Sequence, residues 1–286
     1  MTYTDPITKT NKNKILCSTG TMIGRLNDFD YTLIPVFAKN IDCDGYEFMM
    51  EPFWNDEQKT AEITEFLCPL KINFATFHMD KNIGDMISKN GPGDIEEALR
   101  IFELNCAAAK KLGAGLLVLH LWGGLESDKN IGKNIEVCAT FLEIAGKFGL
   151  TLTVENVVCN TQNAIIHMEK LYETYGKSIK FTIDVRHAEF HKLLKATCEA
   201  DFLWENGLVP HFHIADYKGD YMDWSKIRPV LPPGEGEVDF PYLSAFLKKT
   251  GYKGSFTLEA SGAMTDAGLN FDILKRRLDF IRDLMR

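Results

Sequence analysis

The sequence predicts one closed (β/α)8 barrel, a TIM barrel with its active site at the C-terminal ends of the strands. Three observations carry this expectation. Short runs rich in β-branched and aromatic residues alternate with longer amphipathic ones, eight times along the chain. Four runs in the second half, LTLTVEN, KFTIDVRH, PHFHIAD and SFTLEAS, each end in a residue able to bind a metal: Glu155, Asp184, His213 and Glu259. Their spacing also repeats, with 29 residues from Glu155 to Asp184 and 29 from Asp184 to His213. Strict strand–helix alternation implies a parallel sheet with right-handed crossovers. A chain of 286 residues fits a single barrel domain. No G-x-G-x-x-G follows the first strand, which removes the nucleotide signature of an open doubly wound sheet.

The elements follow in order. Residues 1–13 are polar and lack the apolar core of a signal peptide, so they read as a flexible tail ahead of one domain over 14–286. Strands are expected at 14–19, 44–49, 72–78 and 115–121. The second contains Glu47, for which an ion pair is the simplest account. The third and fourth bring His78 and His120, each able to face the site or to bond a loop carbonyl. Residues 79–93, with their glycines and a Gly-Pro-Gly exit, read as a mobile lid. A helix over Asp94–Lys111 follows. Trp122, like Trp54, comes just after a strand and suits either an apolar wall for a ligand or a loop anchor. A helix over Asn134–Phe148 stops at Gly149. Strands at 150–155, 179–184, 209–214 and 254–259 deliver the four ligand-type residues. The long loop 216–238 holds Lys218, a candidate substrate contact, and LPPGEGEV, whose GEG reads as a turn before a helix capped by Asp239 with Pro241 in its first turn. His167 and His191 fall in helical stretches and are expected at the surface. Asp272–Arg286 forms the closing helix.

Composition narrows the function classes. The net charge of −8 disfavours a nucleic-acid partner. No apolar run approaches membrane-spanning length. Seven scattered cysteines without a C-x-x-C pair fit reduced thiols and a cytoplasmic location.

Three carboxylates and one imidazole are mostly hard ligands. They suit one divalent ion, Mn²⁺ first, with Mg²⁺, Co²⁺ or Zn²⁺ also compatible. The lack of cysteine argues against a closed structural zinc site. Strand side chains alternate faces, so Thr153, Thr182, His211 and Thr257, each two residues before a ligand, should form a polar layer beneath the metal and orient it. His187, three residues past Asp184, lies where a loop would meet substrate.

The motifs TVEN, TIDVRH, HFHIADY, LPPGEGEVDF and FTLEAS resemble the xylose-isomerase-like sugar isomerase and epimerase superfamily. It includes ketose 3-epimerases, hydroxypyruvate isomerases, inositol-catabolism enzymes and, more distantly, three-zinc DNA-repair endonucleases. The resemblance implies one divalent metal on Glu155, Asp184, His213 and Glu259, the two glutamates as acid and base, and His187 in contact with substrate. Two departures argue against ketose 3-epimerisation. The stretch Asn156-Val-Val-Cys-Asn-Thr161 lacks that branch's carboxylate, and Tyr217, Lys218 and Gly219 stand in the region of its arginine. The endonucleases share the positions of His78, His120, Glu155, Asp184, His187, His213 and Glu259. Their further Asp-x-His is replaced here by Arg228-Pro-Val-Leu-Pro-Pro.

The expected activity is therefore metal-dependent isomerisation or epimerisation of a sugar, ketose or sugar-derived hydroxy-carbonyl compound, by proton transfer through an enediolate. The alternatives are a metal-dependent dehydratase on a polyol-derived ketone, a phosphodiesterase on abasic DNA, or a sugar-binding barrel with a vestigial site. The expected partner is a small-molecule sugar, and a homo-oligomer stays open.

Overall fold

The eight apolar runs become eight parallel strands that close in chain order into one barrel in the computed structural model, which describes residues 13–286. They are β1 (Ile15–Ser18), β2 (Gly45–Met49), β3 (Phe74–His78), β4 (Leu116–Leu119), β5 (Thr151–Glu155), β6 (Lys180–Asp184), β7 (His211–Ile214) and β8 (Ser255–Leu258), with β8 pairing back onto β1. The tail expected over residues 1–13 lies outside the described residues, apart from Asn13. Its side-chain amide donates to the carbonyls of Tyr252 and Gly254 at 3.0 and 2.9 Å.

Helices cover the barrel as the alternation requires. They are α1 (Ile34–Ala38), α2 (Glu57–Leu67), α3 (Ile83–Lys89), α4 (Asp94–Leu112), α5 (Ile131–Phe148), α6 (Ala164–Tyr175), α7 (Val185–Phe190), α8 (Leu194–Cys198), α9 (Asp201–Glu205), α10 (Phe240–Thr250) and α11 (Phe271–Leu284). The expected eight βα units are present, but the third and sixth are split, with α3 and α4 after β3 and α7, α8 and α9 after β6. Each strand is short and almost wholly buried, because helices close the outer face and side chains fill the inner one. On β7, Phe212 stacks on Phe256 of β8 and on Trp204 of α9, which places it on the outer face. Its neighbours His211 and His213 therefore point inward.

The register positions the site. Asp184 on β6 pairs with His213 on β7, which pairs with Thr257 on β8. One layer along, Glu155 on β5 pairs with Thr182, and Thr182 with His211. Glu259 sits just past β8, where its backbone N–H still bonds the Ile214 carbonyl at 3.1 Å.

Two loops differ in character. The stretch expected as a mobile lid contains α3, whose Ile83, Gly84, Ile87 and Ser88 are buried. A Cβ on Gly84 would lie 2.3 Å from the His120 carbonyl oxygen, so this helix is pressed onto the loop after β4 rather than free above it. The GEG stretch behaves as the expected turn. Buried Asp216 gathers it by accepting from the N–H groups of Tyr217, Gly234 and Val238 at 2.8, 2.9 and 3.0 Å. Asp239 then caps α10, accepting from Tyr242 N–H at 2.9 Å.

Candidate metal centre

One ligand atom from each of Glu155, Asp184, His213 and Glu259 lies within 4.8 Å of every other. Four strands from separate parts of the chain thus converge on one point at the C-terminal mouth. His213 Nδ1 faces Glu155 Oε1 at 3.3 Å and Glu259 Oε2 at 3.0 Å. Its Nε2 faces the other way, 3.2 Å from Glu47 Oε2. Asp184 is fixed by its own helix, with Oδ1 accepting from the N–H groups of Arg186 and His187 at 2.7 and 3.1 Å. Asn156 clamps the same segment, accepting from Asp184 N–H at 2.6 Å and donating to its carbonyl at 3.1 Å.

Three more histidines crowd Glu155. His120 Nε2 lies 2.8 Å from Oε2, His78 Nε2 3.4 Å from Oε2, and His187 Nδ1 3.3 Å from Oε1. His78 Nδ1 bonds the Met79 carbonyl at 2.8 Å, so its Nε2 is the nitrogen presented to the site. His187 Nε2 accepts from Arg186 Nη2 at 2.5 Å, so its Nδ1 is the one presented.

The electrostatics are those of a buried pocket holding several acids and imidazoles. Burial alone would raise the Glu155 carboxyl, but His120 and His213 hold it well below the usual range. Burial would likewise raise Glu259, which His213 and Lys81 hold down. His213 is pushed down by burial, yet Glu47, Glu155 and Glu259 lift it well above an ordinary imidazole. The His120 ring is lowered to about 4, mainly by burial, with Glu155 opposing. Positive charge is thus drawn to the centre of the cluster.

The donor set fits a hard divalent cation. Glu155 Oε2, His78 Nε2 and His187 Nδ1 are buried without a well-aligned hydrogen bond, although His120 Nε2 stands 2.8 Å from the first of them, and this is costly unless something bonds them. All three sit within the same cluster. Bound there, a metal could take His213 through Nδ1 while Glu47 holds the opposite nitrogen, the carboxylate–imidazole–metal order that orients a ligating histidine.

The expected polar layer is buried and pairs both within itself and with its neighbours. Thr153 Oγ1 meets Thr182 Oγ1 at 2.7 Å and donates to the Leu117 carbonyl at 2.7 Å. His211 meets Ser255 Oγ at 2.7 Å, Thr257 Oγ1 at 3.1 Å and Glu47 Oε2 at 3.3 Å. The groups in direct contact with the clustered residues are Glu47, which His211 shares with His213, Asn156 and the first turn of α7.

Several expectations need correction. Trp122 is fully buried, its indole N–H donating to the Val157 carbonyl at 3.0 Å, so it anchors a loop and is no wall for a ligand. Trp54 takes the anchoring reading already open to it, packed in the core against Phe48 and Tyr31. His167 and His191 are not at the surface, being 0% and 2% exposed. His167 bonds Asp128 at 2.9 Å, and His191 Nε2 accepts from Cys159 N–H at 2.9 Å. Helical periodicity could not show that the loop after β4 packs on His167 and the loop after β5 on His191. Lys218 keeps its place as a candidate substrate contact: it is exposed and lines a cleft with Asp220, Asp223, Lys226, Arg228 and Glu237.

Glu47 makes the ion pair expected of it, to His211 and His213 at 3.3 and 3.2 Å, and so joins the cluster. Sequence reasoning missed two further neighbours. Lys81, whose Nζ lies 3.6 Å from Glu259 Oε1, sits in a loop, and Arg186, against Asp184 and His187, sits in the short helix α7; neither carries a signal in the sequence.

Residues 35–284 match the family described as xylose isomerase-like TIM barrel. No curated protein matches the chain. Among solved structures, 3-keto-D-glucoside 4-epimerase from E. coli is 18% identical, with a TM-score of 0.66 over 95% of this chain and 100% of that one. D-allulose 3-epimerase from Methylomonas sp. is 16% identical, with a TM-score of 0.70 over 96% and 98%. D-psicose 3-epimerase from Clostridium cellulolyticum H10 is 14% identical, with a TM-score of 0.64 over 96% and 99%. At these identities the likeness is one of fold.

Proposed function

The chain belongs to the xylose isomerase-like TIM barrel family, and from that membership we propose a metal-dependent isomerase or epimerase acting on a sugar or sugar-derived hydroxy-carbonyl compound. The observation that carries the reading is the convergence of Glu155, Asp184, His213 and Glu259 on one point at the barrel mouth. The sugar epimerases among the structural neighbours support the substrate class.

In this reading those four side chains hold one divalent ion, with Mn²⁺ the best match to a set of three carboxylates and one imidazole. A bound ion would supply Lewis-acid stabilisation of negative charge developing on substrate oxygen. The proton chemistry belongs to the protein. Glu155 and Glu259 enter the site from non-adjacent strands, so each can serve one face of a bound carbon. One removes the carbon-bound proton and the other returns a proton, either to the opposite face or to the neighbouring carbon. The two differ in access. The Glu155 side chain is 1% exposed and enclosed by imidazoles, whereas that of Glu259 is 21% exposed. Glu259 is therefore the one that exchanges its proton with solvent directly. His78, His120 and His187 present nitrogens to the same space and would contact substrate hydroxyls.

Elemental analysis of protein grown with Mn²⁺ should give one ion per chain, lost on alanine substitution of Asp184 or His213. With metal quantified in each variant, Glu155→Gln and Glu259→Gln should each slow the release of a carbon-bound deuterium from a confirmed ketose substrate by about 10²–10⁴-fold, the usual contribution of a general base. Undiminished release from either variant removes that glutamate from the acid–base pair. A metal-free protein with full activity would end the proposal.

A further inference from the structure

The two oxygens of Glu259 face different neighbours. Oε2 stands 3.0 Å from His213 Nδ1, inside the cluster, and Oε1 stands 3.6 Å from Lys81 Nζ. A ligand role through Oε2 would leave Oε1 as the oxygen free to exchange a proton with substrate. The ammonium beside it is not satisfied by this pairing. A separation of 3.6 Å is too long for a hydrogen bond. Lys81 Nζ makes no hydrogen bond among the described residues, and its side chain is 37% exposed. Its N–H donors are therefore open to whatever enters the mouth.

The backbone that carries this lysine is clamped from beneath. Asp80 accepts from Asn55 Nδ2 at 2.6 Å and from Asn82 N–H at 2.7 Å. Its own N–H donates to Asn105 Oδ1 at 3.0 Å, and Asn105 Nδ2 donates to Asn55 Oδ1 at 2.6 Å. Asn55, Asp80 and Asn105 are 7%, 2% and 0% exposed. Burying three polar side chains is costly unless each finds partners. Here they find them in one another and in the segment 80–82. A solvated Lys–Glu pair needs no such foundation and contributes little by itself. A clamped lysine with open donors, beside a carboxylate oxygen turned away from the cluster, is placed to meet a substrate.

We infer that Lys81 is a further catalytic residue, whose ammonium donates a hydrogen bond to the substrate oxygen next to the reacting carbon. The inference rests on the isomerase or epimerase reading and adds a residue to it. When Glu259 Oε1 takes the carbon-bound proton, the C–H electron pair moves into the carbon skeleton. Negative charge then gathers on the neighbouring carbonyl oxygen. Lys81 keeps its own proton and stabilises that charge through the N–H···O contact. When a proton returns to carbon the electron pair returns with it, and the contact relaxes. A charged donor fixed where charge develops lowers the barrier more than it tightens ground-state binding.

The test compares the parent, Lys81→Met and Lys81→Arg, each saturated with Mn²⁺ and with metal content measured. The probes are D-fructose, D-allulose and D-tagatose carrying a carbon-bound deuterium label. Methionine keeps an unbranched stem without the charge, and arginine keeps the charge. Lys81→Met should release label about 10²–10³-fold more slowly, the usual cost of one such donor, with the loss in kcat rather than KM. Lys81→Arg should recover part of it. A second readout needs no turnover. A four-carbon aldonohydroxamate presents the paired oxygens of an enediolate, and its calorimetric affinity should fall about tenfold or more in Lys81→Met. The affinity of the ketose should stay close to the parent's. Parental label release and hydroxamate affinity in Lys81→Met overturn the inference and leave the isomerase reading standing. A loss matched by lost metal, or equal for ketose and hydroxamate, also overturns it and marks a structural pair. If the parent releases no label from any of the three ketoses, the isomerase reading fails and the inference falls with it.

Discussion

Glu47 has no direct place among the four proposed ligands, yet it governs one of them. Its Oε2 is shared by His213 Nε2 at 3.2 Å, His211 Nε2 at 3.3 Å and Thr76 Oγ1 at 3.0 Å, while Oε1 is buried without a partner. Burial would raise this carboxyl, but the two histidines hold it well below its ordinary value, so it stays charged. A charged acceptor on Nε2 fixes which nitrogen of His213 can meet a metal and makes that nitrogen a better donor. Glu47→Gln keeps shape and an acceptor oxygen but deletes the charge. It should weaken Mn²⁺ binding by roughly 10–100-fold, as losses of such outer partners do. Calorimetric titration of the metal into chelator-stripped protein measures this. The melting temperature read alongside separates a loosened site from a damaged barrel. Unchanged metal affinity in a folded variant would confine Glu47 to a structural ion pair.

Among the elements, α3 shows how the sequence was legible in some respects and silent in others. The strands could be read because buried parallel strands are continuous apolar runs, and the four residues that cluster at the mouth because each stands where such a run stops. Asp184, His213 and Glu155 needed no more than that. The loops could not be read, because what shapes them is contact between distant segments. Residues 79–93 have the composition of a flexible lid, but Gly84 lets α3 sit directly on the backbone after β4. A methyl there would meet the His120 carbonyl at 2.3 Å, the Leu121 carbonyl carbon at 2.5 Å and the Trp122 nitrogen at 2.6 Å, none of which is a flexible side-chain end. Gly84→Ala removes a glycine from a helix, which in open space would stabilise it by up to about 1 kcal/mol. Here overpacking should dominate and destabilise the protein by about 1–3 kcal/mol. The same push would shift His120 away from Glu155. Urea denaturation gives the first quantity, and deuterium release by the folded fraction reports the second. A neutral or stabilising effect would mean that α3 is as mobile as its composition implied.

At the scale of the whole molecule, buried histidines couple the stability of the barrel to pH. The His191 ring is pushed down to about 4, chiefly by burial and then by nearby His187, with Asp128 opposing. Geometry gives the same answer. His191 Nε2 accepts from Cys159 N–H at 2.9 Å, so a proton on that nitrogen would break the bond and set two donors against each other. His167 is also lowered, by burial that outweighs its bond to Asp128. In the unfolded chain such rings take up protons near their ordinary value of about 6.5. The folded chain refuses the His191 proton until about pH 4. The unfolded state therefore binds more protons throughout that interval, and folding stability must fall as pH drops from about 6.5 to about 4. For His191 alone the loss amounts to about 3 kcal/mol at the acid end. The carboxylates held low, Glu47, Glu155, Glu259 and Asp128, give up their stabilisation only at still lower pH. His213 has the opposite sign. Burial lowers it but its carboxylate partners raise it further, so its contribution is lost on the alkaline side. Comparison with His191→Gln isolates the single ring, since glutamine can accept from Cys159 N–H and does not titrate. Urea denaturation of both proteins in chelator, at intervals from pH 7 to pH 4, should show the parent losing about 3 kcal/mol more than the variant. Parallel curves would mean that His191 takes up its proton in the folded state as readily as in the unfolded one, and that the segment around Cys159 opens to admit it.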